Sequence, residues 1–197
     1  MNRKAVINRK TSETNINVSL NIDGSGKREI DIPVGFLNHM LDLFTKHGLF
    51  DLNIKATGDT YIDEHHTVED IGIVLGEVFA KALAIKKGIN RYGFFILPMD
   101  EALATVAVDF AGRYSFRFDC DFSREKVGDL PTELVKHFWD SFAQNAKANL
   151  FIKVEYGEND HHKIEAIFKA TTRAIRIACT IDKREGNQVP STKGVLW

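Results

Sequence analysis

Residues 36–44, Phe36-Leu-Asn-His39-Met-Leu-Asp42-Leu-Phe44, have a second version at 134–142, Leu134-Val-Lys-His137-Phe-Trp-Asp140-Ser-Phe142, with His, Asp and Phe in register 98 positions on. Working outward, Ile54-Lys55 matches Ile152-Lys153 at the same spacing. After a loss of two residues, His65-His66-Thr67-Val68-Glu69 matches His161-His162-Lys163-Ile164-Glu165 at a spacing of 96. Upstream, Glu13-Thr-Asn-Ile-Asn-Val18 aligns more thinly with Glu101-Ala-Leu-Ala-Thr-Val106. Self-similarity at a period near half the chain marks an internal duplication, so a fold read for one half is read for both.

Each half gives the same order of elements. Ile16, Val18, Leu20 and Ile22 alternate as a half-exposed strand does, and Asp23-Gly24-Ser25-Gly26 closes it as a turn. Residues 36–47 and 132–146 carry apolar groups at helical spacing, while Phe50–Ala56 and Asn149–Tyr156 read as strands between turn residues. A second helix follows, with Val68, Ile71, Leu75, Val78, Phe79 and Ala82 spaced to pack on a sheet; Ile164, Phe168, Ala174 and Ile175 repeat this less regularly. The expected architecture is α+β, an internal duplication of a ββαβα unit into residues 1–90 and 91–197. The halves should pack with pseudo-twofold symmetry into one structural unit, helices on one face of each sheet.

With 197 residues and a formal net charge of -1, the chain has an ordinary globular composition and no bulk pull toward nucleic acid or anionic membrane. Neither is an expected partner. Cys120 and Cys179 lack metal-ligand spacing and read as buried thiols. Residues 1–10 lack the apolar core of a secretory signal, and the stretch Ile71 to Ile85, broken by Glu77 and Lys81, is too short to span a bilayer. A cytoplasmic location is expected.

Six of the seven histidines (His39, His65, His66, His137, His161 and His162) stand at positions related by the repeat, and His47 alone does not. On a helix, His65 with Glu69 and His161 with Glu165 share a face at i and i+4, so each pair suits one ion. The adjacent His66 and His162 point about 100° away and must serve another ion, of the other half or of another subunit. With His39 and His137 the inventory divides into two sites of three His and one Glu each. Nitrogen and carboxylate donors without thiolate suit manganese, iron or zinc, and manganese is the first choice. One such motif reads equally well as a solvated turn; two copies in register favour metal.

A second set suits an anion. Arg91 follows Gly88-Ile-Asn, Arg113 follows Ala111-Gly112, Lys169 lies one turn beyond Glu165, and the tail reads Ser191-Thr192-Lys193-Gly194. Guanidinium forks, ammonium groups and hydroxyls of this kind clamp phosphate. Glu13 and the pair Asp100-Glu101 are candidates for proton transfer. Asp63-Glu64 and Asp100-Glu101 equally suit helix caps or acceptors behind histidine ligands.

Taken together, Phe36-Leu-Asn-His39-Met-Leu-Asp, Lys46-His47-Gly48, Asp63-Glu-His-His-Thr-Val-Glu-Asp70, Gly157-Glu-Asn-Asp-His-His-Lys-Ile-Glu-Ala-Ile-Phe-Lys169 and Ser191-Thr-Lys-Gly194 resemble the imidazoleglycerol-phosphate dehydratase family over nearly the whole chain. The resemblance implies a hydro-lyase of histidine biosynthesis that converts D-erythro-imidazole glycerol phosphate to imidazole acetol phosphate and water; with no room for the phosphatase domain fused to some members, the chain is expected to be monofunctional. It implies two manganese ions per active site, and a homo-24-mer whose sites lie between subunits. By position it makes His39, His65, His66, Glu69, His137, His161, His162 and Glu165 the metal ligands. Arg91, Arg113, Lys169, Ser191 and Lys193 would hold the phosphate, and Glu13 and Asp100 would act on the glycerol part or in proton transfer. Leu43, where relatives carry a polar residue, departs from the pattern outside both sets. A metal-storage shell and a metal-dependent hydrolase are the competing readings.

Overall fold

The computed structural model describes residues 3–196. The first half runs β1 (Lys4–Lys10), β2 (Thr14–Asn21), β3 (Arg28–Asp31), α1 (Gly35–Gly48), β4 (Asp51–Gly58) and α2 (His65–Leu83). The second runs β5 (Tyr92–Met99), β6 (Ala102–Asp109), β7 (Ser115–Asp119), a hairpin of β8 (Lys126–Val127) and β9 (Leu130–Pro131), then α3 (Glu133–Ala146), β10 (Asn149–Tyr156) and α4 (Asp160–Cys179). The two main sheets are β1-β2-β4-β3 and β5-β6-β10-β7. In both, only the β3–β4 or β7–β10 pair is parallel.

Each half therefore holds the expected ββαβα order plus one short strand, β3 or β7, in its main sheet, and the second half adds a hairpin before its first helix. Arg28-Glu-Ile-Asp31 did not read as a strand because only Ile30 is half-buried within a polar run, so there is no alternation to see. The duplication is close in space as well as in sequence. Thr14–Asn21 recurs as Ala102–Asp109, 88 positions on, whereas Gly35–Gly48 recurs as Glu133–Ala146, 98 positions on. The shift falls between β7 and α3, where the second half alone inserts the β8–β9 hairpin. At the hairpin turn, the Asp129 carboxylate accepts the backbone N–H groups of Gly35 (2.6 Å) and Phe36 (2.8 Å). It thus caps α1, whose own N-cap residue, Val34, supplies no side-chain acceptor.

The helices lie on the inner faces of the sheets and cross over between halves: α1 packs on α4 and α2 on α3. Phe44 of α1 meets Trp139 of α3 with ring centroids 6.3 Å apart, Phe79 of α2 meets Phe142 at 5.6 Å, and Trp139 meets Phe168 of α4 at 4.8 Å. These side chains are fully buried, so one aromatic core joins both halves. The α2–α3 approach is close enough to require glycine: a Cβ at Gly76 would lie 2.5 Å from the Phe142 carbonyl oxygen. Among the described residues no helix is long and apolar enough to cross a membrane.

Candidate metal centre

Each α4-type helix starts at a cap that fixes its first histidine. Asn159 Oδ1 accepts the His161 N–H at 2.9 Å, and Asp63, at the matching place before α2, accepts the His65 N–H at 2.8 Å. One turn into α4, the buried Glu165 carboxylate lies 3.2 Å from His161 Nε2 through Oε2. The α1–α4 crossing brings His39 Nε2 to 3.9 Å from the same oxygen. His39, His161 and Glu165 thus place one ligand atom each within 4.8 Å of one another, and among the described residues they are the one trio to do so. Phe36 sets its ring edge against His161 at 5.1 Å between centroids. Burial raises the Glu165 pKa, but the hydrogen bond and charge of Lys169, with His161, outweigh it and hold the carboxylate below the ordinary glutamate range.

The α2–α3 crossing forms the counterpart. His65 and His137 have ring centroids 5.0 Å apart, with Glu69 one turn beyond His65 and half-buried. The first crossing therefore joins His39 of one half with the His161–Glu165 pair of the other, and the second sets His137 beside His65, the first residue of the matching His-x-x-x-Glu pair. No spacing along the chain announces that pairing; it follows from the crossing of the helices.

The second histidine of each tandem turns away. His66 Nδ1 lies 3.0 Å from Asp59 Oδ2 and 3.9 Å from Glu13 Oε2. His162 Nδ1 lies 2.6 Å from Glu101 Oε2, and its Nε2 lies 3.5 Å from Asp100 Oδ2. The Asp59 hydrogen bond raises the His66 pKa, and the Glu101 hydrogen bond raises that of His162. Glu101 is itself pulled down to about 2, first by the Asn159 N–H and then by His162. A carboxylate on Nδ1 orients an imidazole so that Nε2 can ligate, which is the supporting role read for Glu101 from sequence. Glu13 and Asp100, singled out for proton transfer, are both brought against these outward histidines.

The anion set is distributed differently. The Arg91 guanidinium is forked onto Asp109 at 2.7 and 3.0 Å and donates to the Pro190 carbonyl at 3.0 Å, which draws the Ser191 segment beside it. Lys193 donates its backbone N–H to Ser191 Oγ at 3.2 Å, and Arg113 is exposed in the β6–β7 connection. Lys169 is ion-paired to Glu165 Oε1 and lies 3.4 Å from Met99 Sδ. A phosphate would compete with Asp109 for Arg91 and with Glu165 for Lys169. Two residues of the site escaped the sequence reading. Asp59 has Gly157 as its repeat mate, and His47 has Asn145, so neither could be found by matching halves. His47 has its pKa lowered by burial and then by the charges of Lys169 and Arg173.

The fold and the donor set define a class: a duplicated α+β protein with a histidine–carboxylate candidate metal centre at its α1–α4 crossing and a matching histidine pair at its α2–α3 crossing. A sequence model of the imidazoleglycerol-phosphate dehydratase family matches residues 32–175. An imidazoleglycerol-phosphate dehydratase from Koribacter versatilis is 52% identical over 194 residues, covering 98% of this chain and 100% of its own. Another, from Clostridium novyi, is 55% identical over 188 residues, covering 95% of each. The crystal structure of the Staphylococcus aureus imidazoleglycerol-phosphate dehydratase is similar at a TM-score of 0.83 and 44% identity, over 91% of this chain and 99% of that one. The chain belongs to the imidazoleglycerol-phosphate dehydratase family.

Proposed function

We propose that this chain is a cytoplasmic hydro-lyase of histidine biosynthesis, dehydrating D-erythro-imidazole glycerol phosphate to imidazole acetol phosphate with two manganese ions per active site. The observation that carries this reading is the convergence of His39, His161 and Glu165, with His137 set beside His65 at the matching helix crossing. The donor chemistry fits: imidazole and carboxylate without thiolate suit manganese, which His39, His161 and Glu165 would hold together with an outward histidine of another subunit. Bound there, manganese would supply Lewis acidity to the substrate imidazole and so ease loss of a proton from a carbon that lacks a neighbouring carbonyl.

The chain's own residues divide the remaining tasks. Glu165 and Glu69 bring negative charge to the centres, while Glu101 and Asp59 hold His162 and His66 in orientation. Glu13 and Asp100 stand where a carboxylate can take the carbon proton or give one to the departing hydroxyl, and the resulting enol ketonises to the product. Arg91, Arg113, Lys169, Ser191 and Lys193 hold the phosphate, with Lys169 exchanging Glu165 for it.

In this reading residues 1–90 and 91–197 work as one unit, and the active site is shared in a homo-24-mer. The α2 set of one subunit (His65, His66, Glu69, with His137) faces the α4 set of another (His161, His162, Glu165, with His39). Two features support assembly. His66 and His162 point away from their own clusters, and the outer face of the second sheet exposes Phe94 (73%), Ile96 (57%) and Phe151 (43%) where the first sheet has Val6, Asn8 and Asn53. Metal-stripped protein given imidazole glycerol phosphate should form imidazole acetol phosphate only after manganese is restored. Release of inorganic phosphate in its place would favour a hydrolase, and equal turnover without metal would overturn the reading.

A further inference from the structure

Asp70 lies on α2 one turn beyond His66, on the same face, and is 7% exposed. Its Oδ1 accepts from Arg9 Nε at 3.0 Å, and its Oδ2 accepts the hydroxyl of Thr14, itself 4% exposed. The Thr14 hydroxyl lies 3.2 Å from that of Thr11. Thr11 Oγ1 in turn accepts the backbone N–H groups of Glu13 (3.1 Å) and Thr14 (2.9 Å). The β1–β2 turn is thus wound around one hydroxyl and pinned to α2 by one buried carboxylate. It carries Glu13, whose Oε2 reaches 3.9 Å from His66 Nδ1.

The second half serves as an internal control. The repeat mates of Arg9, Thr11, Thr14 and Asp70 are Leu97, Met99, Ala102 and Ala166, all apolar. The strands keep the same register, Lys10 pairing with Asn15 as Pro98 pairs with Leu103, although the second hairpin adds the Met99–Ala102 pair and turns through Asp100 at φ 48, and α4 packs on its sheet as α2 does. Neither the strand pairing nor the helix packing needs the polar network. A buried network carries a desolvation cost that the other half avoids. The two halves differ in how they hold the acid in the turn. Glu101 is tied directly to the start of α4 by the N–H groups of Asn159 (2.7 Å) and Glu158 (3.2 Å), whereas Glu13 is placed through its backbone alone by Thr11.

We infer that Asp70 is a positioning residue: through Thr14 and Thr11 it fixes the β1–β2 turn so that the Glu13 carboxylate stands beside His66. This rests on Glu13 working on the substrate, as proposed above. The test is a double-mutant cycle of Asp70→Ala and Glu13→Gln on assembled, manganese-loaded enzyme. Each single variant should lower kcat about 10²-fold with KM within about twofold, because a displaced acid–base group is felt mainly in the chemical step. The double variant should be no slower than Glu13→Gln alone, since the two losses are one loss. Manganese content should not change, and amide exchange across residues 9–16 should accelerate in Asp70→Ala but not in Glu13→Gln. If Asp70→Ala fails to fold, the fourfold variant Arg9→Leu, Thr11→Met, Thr14→Ala, Asp70→Ala, patterned on the second half, takes its place. Losses that multiply in the double variant would overturn the inference, as would normal turnover in Asp70→Ala beside a slow Glu13→Gln. Normal turnover in Glu13→Gln would instead overturn the role of Glu13, and this inference with it.

Discussion

His66→Ala and His162→Ala should each lower turnover about 10³-fold or more while leaving the fold intact, read as kcat at saturating manganese beside circular dichroism. The side chains of His66 and His162 are 38% and 25% exposed and touch carboxylates, so truncation opens no cavity in the aromatic core. On the proposed reading the loss falls on a metal centre shared with a neighbouring subunit, and ionic Lewis-acid stabilisation is worth several kcal/mol, each 1.4 kcal/mol being about a factor of ten. The assembly should weaken with it if, as proposed, these histidines join one subunit to the next. Sedimentation or size-exclusion chromatography then shows smaller particles for both variants.

Gly76→Val should destabilise the subunit by about 3 kcal/mol, seen as a lowered thermal midpoint. The new Cβ would stand 2.5 Å from the Phe142 carbonyl oxygen and 2.9 Å from the Ala146 nitrogen, both backbone atoms of α3 that cannot swing aside. Gain in helix propensity over glycine is below about 1 kcal/mol and does not offset this. To relieve the clash α2 must move off α3, which separates Phe79 from Phe142 and His65 from His137. Turnover should fall together with stability. A change at Gly186, where a Cβ meets nothing within 4 Å, should leave the metal centres unaffected.

What was legible in the sequence followed from the duplication. Two registered His-His-x-x-Glu motifs, with His39 and His137 in step, were enough to single out His39, His161 and Glu165, which the structure brings together, and to set His65 and His137 on helices. Which histidine joins which pair was not legible, because it depends on α1 crossing to α4 and α2 to α3, a long-range packing choice without a local signature. The β8–β9 insertion hid behind the thin alignment of the first strands, where Glu13 and Glu101 are the best-matched residues. Residue types suited to phosphate could be read off, but not that Asp109 and Glu165 hold Arg91 and Lys169 in this chain. Asp59 and Asp70 were invisible for a related reason: their mates are Gly157 and Ala166, so the repeat that exposed the ligands concealed the groups that support only one of them.

Sharing of the centre between subunits is tested most directly by co-expressing His66→Ala with His162→Ala chains. A His66→Ala chain keeps the whole α4 set, and a His162→Ala chain keeps the whole α2 set. Wherever the first offers its α4 set to the α2 set of the second, a complete site forms from two chains that are inactive alone. Random mixing should restore about a quarter of the wild-type manganese-dependent turnover. Turnover no higher than that of either variant by itself would contradict a centre built between subunits.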